Sequence, residues 1–152
     1  MSTTIHQRVE AAQSGTNPTV VCRVSSGWVV LCDMQYLPGY ALLLPDPVVE
    51  SLNALNPAQR AGYLCDMALV GDALLEVTGA FRINYAILGN TDPALHAHIV
   101  PRFLTEPDEY RKGPPWTYPQ DVVDAHKFDY ERDKGLIQRL AAAIQKRMPA
   151  GG

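Results

Sequence analysis

Two histidines one residue apart, His96 and His98, stand in the run Leu95-His96-Ala97-His98-Ile99-Val100, and they are half of the chain's four. The run alternates with a period of two, which is the pattern of a half-buried β-strand, and Gly89, Pro93 and Pro101 bracket it. Side chains on a strand point alternately to opposite faces. Both imidazoles therefore project from one face, while Leu95, Ala97 and Ile99 project from the other. Imidazole has an unperturbed pKa of about 6.5 and is largely neutral at pH 7, so it can attack phosphorus without first losing a proton to a separate base. One ring acting as nucleophile, with the next stabilising the charge that develops, is the chemistry such a pair allows. Taken alone, the pair is also consistent with an ordinary polar sheet face.

The flanks narrow the choice. Gly89-Asn90-Thr91 precedes the pair and Pro101-Arg102 follows it. The whole stretch, GNTDPALHAHIVPR, resembles the histidine triad (HIT) superfamily of nucleotide hydrolases and transferases. That family carries three histidines at alternate strand positions, preceded by a Gly-Gln-Ser/Thr loop and often followed by Pro-Arg. His96 matches the middle histidine and His98 the third, whereas the first position holds Ala94. Upstream, Pro38-Gly39-Tyr40 and the apolar run ending at Pro45 match the family's Pro-x-His and its apolar strand, with Tyr40 in place of the histidine.

The resemblance implies a HIT-like fold and attack by His96 on the α-phosphate of a nucleotide, through a covalent nucleotidyl-histidine. His98 would contact the non-bridging oxygens or assist the leaving group, and Asn90 and Thr91 would bind phosphate. The ribose would be held by an acidic residue near the start of the Pro38 segment. Strict alignment puts Cys32 there, and Asp33, one place later, is the chemically sensible choice. Arg102 shares strand parity with both histidines and is a candidate substrate contact. The implied substrate is a dinucleoside polyphosphate, a nucleoside phosphoramidate or a similar nucleotide, and many relatives are homodimers. Because Ala94 shares the face of His96 and His98, an imidazole placed there would point to the same site. The absent first histidine leaves a second reading open, a nucleotide-binding module without turnover.

A His-x-His pair can also chelate a divalent ion. A cupin-like site would want a Glu soon after the pair and a further His on a later strand, and here Arg102 falls near the Glu position. Only His126 and carboxylates such as Asp92 remain as partners. The expectation is no metal and no cofactor.

The elements that must position the pair are readable in order. Ile5 to Gln13 suits a short amphipathic helix, broken by Ser14 to Pro18. Thr19–Val24 and Trp28–Leu31 read as a hairpin around Ser25-Ser26-Gly27. Tyr40 to Leu44 is a third strand, entered through the Pro38-Gly39 turn. From Asn56 to Gly79 runs the longest helical signal, with Asn56 as cap, Pro57 at the first position and Gly79 as the stop. Its apolar residues form two neighbouring stripes, Ala61/Leu64/Ala68/Gly71/Leu75 and Tyr63/Met67/Val70/Leu74, a face wide enough to need a sheet. Phe81 to Leu88 alternates as a fourth strand and leads into the Gly89 loop and the histidine strand. A Pro-rich segment with Trp116 then reads as an ordered loop or lid, followed by a last helix from Phe128 to Met148. The fold class is α+β: an antiparallel sheet of about five strands on a long central helix, with a C-terminal lid and helix.

At 152 residues the chain is the size of one domain, with 1–17 and 149–152 expected at its periphery. No uninterrupted apolar run is long enough to cross a bilayer, and the amino terminus lacks a basic region followed by an apolar core, so the cytoplasm is expected. The odd count of three cysteines, with no CxxC pair, suggests neither a zinc knuckle nor a disulfide framework. A net charge of -3 and a pI near 5.7 argue against a dedicated nucleic-acid binder.

Overall fold

The computed structural model describes residues 2–149. Five strands form a single antiparallel sheet in the order β1-β2-β3-β5-β4. β1 (Val20–Val24) and β2 (Gly27–Leu31) make the expected hairpin, closed by Ser25-Ser26 with Val24 opposite Gly27. β3 (Ala41–Pro45) is apolar throughout and buried at every position, as befits a strand with neighbours on both sides. β1 and β4 (Arg82–Ile87) are the two edges, and β5 (Ala97–Arg102) lies between β4 and β3.

The long helix α2 (Pro57–Thr78) starts where its capping chemistry dictates. The Asn56 side chain accepts from the Gln59 N–H, the Gln59 side chain returns the bond to the Asn56 N–H, and Gly79 in the left-handed region (φ 73°) ends the helix. Of its two apolar stripes, the one containing Tyr63, Val70 and Leu74 faces the sheet, and Leu75 on the other is 39% exposed. With α5 (Tyr130–Gln145), α2 covers one face of the sheet, packing Leu74, Leu140 and Ile144 around Leu43, Ala97 and Ile99.

The opposite face is covered at one end by the first helix, α1 (Thr4–Gln13). Of the segment expected at the periphery, α1 is packed on the sheet, while Ser14 to Thr16 are exposed. Ile5 and Val9 are buried in a second apolar cluster with Leu37, Tyr40, Leu42, Ala94 and Val100. A ten-residue helix is marginal alone, so tertiary packing supplies the stability that helix propensity cannot. At the other end of the chain, Pro149 is exposed, and 150–152 lie outside the described residues.

β5 departs from the expected boundaries in two ways. It begins at Ala97 rather than Leu95, because the Leu95 N–H is taken by the Val49 carbonyl (2.8 Å) instead of a strand neighbour. It also runs through Pro101 to Arg102. β3 flanks β5 only from Ala97 to Ile99, so Pro101 sits where one side of the strand is unpaired and a missing N–H is tolerated. After β5 the Pro-rich segment is ordered into two short helices, α3 (Asp108–Arg111) and α4 (Gln120–Asp124), with a 3-10 turn at Pro115–Thr117 between them. Among the described residues, no helix is long and apolar enough to cross a membrane.

Candidate active site

Register places His98 at the centre of the sheet, opposite Leu42 on β3 and Ala86 on β4. His96 stands one residue before the strand begins, and the two rings approach edge to face with centroids 5.0 Å apart. Both side chains are half-buried, and the expected shared face is realised.

The two rings are held by different partners. His96 Nδ1 is 2.8 Å from the backbone carbonyl of Ala94. A carbonyl can only accept, so in the neutral ring Nδ1 carries the hydrogen and Nε2 keeps its lone pair. His98 Nδ1 is 2.7 Å from the Tyr40 hydroxyl. Burial, with Cys32 and Tyr36 adding to it, holds the Tyr40 phenol well above its ordinary range, so it stays protonated. Donation of the phenol's hydrogen to His98 Nδ1 leaves the His98 hydrogen on Nε2. Burial, reinforced by His96, pushes His98 down to about 4, which keeps it neutral at pH 7. With the phenol donating, the pair is one imidazole with a free lone pair at Nε2 beside one with a hydrogen at Nε2.

His96 lines a cleft of about 780 Å³, bounded by residues 48–53, Ile87 to Gly89, Pro93 to Leu95, and the first turn of α1 through Thr3 and His6. Gly89 turns the chain into the loop before β5 at φ 82°, a conformation that a side chain would strain. Asp92 anchors this loop to α1 by accepting the Ile5 N–H (3.3 Å).

The remaining sequence candidates fall in different places. Asn90 and Thr91 are exposed at the loop tip and do not line the cleft. The Asp33 carboxylate is half exposed and gripped at two points by Arg8 of α1. Arg102 is corrected from substrate contact to structural strut. It is 1% exposed, and its donors are spent on Glu106 (Nη2 to Oε1, 3.0 Å), Asn84 Oδ1 (2.7 Å) and the carbonyls of Gly113 and Tyr110 (2.7 Å each), fastening the segment after β5 to the sheet. Burial alone would raise the Glu106 carboxyl, but Arg102, the Tyr118 hydroxyl and the Phe103 N–H together hold it below its usual range. Ala94 is fully buried in the apolar cluster that also holds Ile5, Val9 and Tyr40. His126 lies on the exposed stretch after α4, its Nδ1 bonded to the Val122 carbonyl, and no group of three or more metal-ligating side chains occurs among the described residues.

Tyr40 and Trp116 belong to the site although neither is among the sequence's candidate site residues. Tyr40 was marked by its place after Pro38-Gly39. Trp116, at the 3-10 turn, carried no positional signal that would bring it to His98, where the ring centroids are 5.8 Å apart.

Neither a family model nor a curated protein matches the sequence. Solved structures do match the fold. A histidine triad protein from Sinorhizobium meliloti 1021 aligns at TM-score 0.69 and 23% identity over 97% of this chain and 98% of its own. A histidine triad protein from Marinobacter aquaeolei VT8 aligns at TM-score 0.72 and 20% identity, covering 96% and 98%. The diadenosine triphosphate hydrolase of Plasmodium falciparum, solved with Cyclomarin A, aligns at TM-score 0.58 and 15% identity, covering 87% and 80%. The chain has the histidine triad fold.

Proposed function

We propose that the protein is a nucleotide hydrolase or nucleotidyl transferase that works through a covalent nucleotidyl-histidine on His96. The observation that carries this is the Ala94 carbonyl on His96 Nδ1, because it aims the lone pair of Nε2 outward for attack. In the first step Nε2 forms a bond to the α-phosphorus while the bond from phosphorus to the leaving group breaks, its electron pair leaving with that group. A phosphate leaving group departs as an anion and needs no proton. The ring gains positive charge, which the Ala94 carbonyl stabilises at Nδ1–H, and His98 Nε2–H donates to the phosphate oxygens. Water or another acceptor then attacks phosphorus, the P–N bond breaks, the pair returns to Nε2, and the acceptor's proton passes to solvent.

Asp33 is half exposed and held in place by Arg8, which suits it to hold ribose hydroxyls, and Asn90 and Thr91 donate to phosphate from the loop tip. An exposed patch of Leu75, Phe81, Tyr85 and Leu88 beside the unpaired edge of β4 favours a homodimer through that edge. The three free thiols suit a reducing compartment such as the cytoplasm.

The test is intact mass after mixing the protein with adenosine and guanosine polyphosphates and quenching in base, which preserves a phosphoramidate. A nucleotidyl adduct is expected on the parent. In His96→Ala it should vanish and turnover should fall by at least about a thousandfold, with affinity nearly kept. Turnover surviving in that variant would remove the mechanism. Binding without adduct or turnover in the parent would favour the non-catalytic nucleotide-binding module that Ala94 leaves open.

A further inference from the structure

The cleft that His96 lines is shared with a histidine from the opposite end of the sequence. His6 lies in the first turn of α1, half-buried, and lines the same 780 Å³ cleft together with Thr3. Its Nδ1 is spoken for. It receives the Thr3 backbone N–H (3.2 Å) and lies 2.9 Å from the Thr3 hydroxyl, completing the capping box of α1. A backbone N–H can only donate, so Nδ1 is the acceptor and the ring proton sits on Nε2. The cap thus fixes one tautomer and leaves a single N–H donor at Nε2.

α1 is docked where that donor matters. Ile5, the neighbour of His6, is buried in the cluster that encloses Ala94, and its N–H is bonded to Asp92 of the loop leading to His96. Ala94, at the first triad position, is thus buried in the same cluster as the helix that brings His6 to the cleft. His98 and Tyr40 do not line this cleft, so it extends from His96 away from them. A volume of this size holds a small-molecule ligand larger than a single phosphate group. Two carboxylates lie nearby: Asp92 Oδ2 accepts the Ile5 N–H of α1, and Glu50, which is exposed, is among the residues that line the cleft.

We infer that His6 is a substrate-binding residue, donating from Nε2 to phosphates beyond the α-phosphate, so that the preferred substrates are nucleotides with a phosphate chain rather than phosphoramidates of a monophosphate. This rests on the reading of His96 as the nucleophile. It is separable from it, because His6 makes no bond to phosphorus.

The experiment compares the parent with His6→Gln and His6→Glu by calorimetry, using AMP, ADP and ATP and their guanosine counterparts. Both Gln and Glu at this helix position complete a capping box with Thr3, so both variants should keep the parent's thermal midpoint. Gln retains a donor and Glu presents a negative charge. The expected result is that His6→Glu weakens di- and triphosphate binding by about thirtyfold and the monophosphate by no more than about threefold, while His6→Gln stays within about threefold for all. Parent-like affinity for polyphosphates in His6→Glu overturns the inference, and a His96 adduct in that variant would show the catalytic reading intact. Equal losses in Gln and Glu, or equal losses for mono- and polyphosphates, would assign His6 a structural role only and overturn it as well. A parent that binds no nucleotide overturns both readings.

Discussion

On one face of β5, Ala97 and Ile99, with Leu95 just before the strand, are almost completely buried among α2 and α5, and the Tyr63 hydroxyl in that layer donates to the Leu43 carbonyl at 2.7 Å. One residue along the same strand, on the other face, His98 is half-buried against Tyr40, Trp116 and His96. The strand is shared, yet the two faces use burial for different ends. On the α2 face, removing apolar surface from water stabilises the fold. On the histidine face, burial selects the neutral form of an imidazole while its hydrogen-bond partner bears on which nitrogen carries the hydrogen, which costs stability and supplies chemistry.

The contrast can be broken by substitutions that should act on one face only. Leu74→Ala removes a fully buried side chain from the α2 layer and is expected to destabilise by about 3 kcal/mol, read by urea or thermal unfolding, with nucleotide affinity of the folded protein unchanged. A comparable loss of affinity would mean the faces are coupled. Ala94→His tests the other side. Ala94 is fully buried in the cluster that includes Ile5 and Val9 of α1, so the added ring is expected to displace α1, with a loss of about 2 kcal/mol and weaker protection of α1 amides in hydrogen exchange. A stable Ala94→His protein with raised turnover would show that the first triad position is open after all.

A further effect is in the acid limb of stability. His98 is held at about 4, below the ordinary imidazole value of 6.5, so the unfolded chain takes up a proton that the folded chain refuses. The resulting contribution to stability is complete above about pH 6.5 and is lost as pH falls from there through about 4. Unfolding curves in that window should slope less in His98→Gln than in the parent. Identical slopes would show that His98 is not the group responsible.

Local pattern and tertiary structure divided the work between them. The period of two around His96 and His98, the Asn56 cap with Pro57 and Gly79, and the five strand signals were legible because each depends on near neighbours in the chain: pleat alternation, capping and turn chemistry. Fold class and the shared face of the two imidazoles followed from those alone. Three things did not. Arg102 reads as a ligand from strand parity, but parity gives direction without saying what fills the space, and Glu106, Asn84 and the Gly113 and Tyr110 carbonyls fill it. Ala94 reads as a vacancy that an imidazole could occupy, but α1, about ninety residues earlier, packs into it. His6 carries no local signal toward the site, since only the docking of Ile5 and Val9 on the sheet brings it to the cleft of His96. The sequence by itself determined which residues could be helix, strand and imidazole pair. Which donors remain free to meet a substrate was decided by contacts between segments distant in the chain, because availability depends on every neighbour in space and only a few of those are neighbours in sequence.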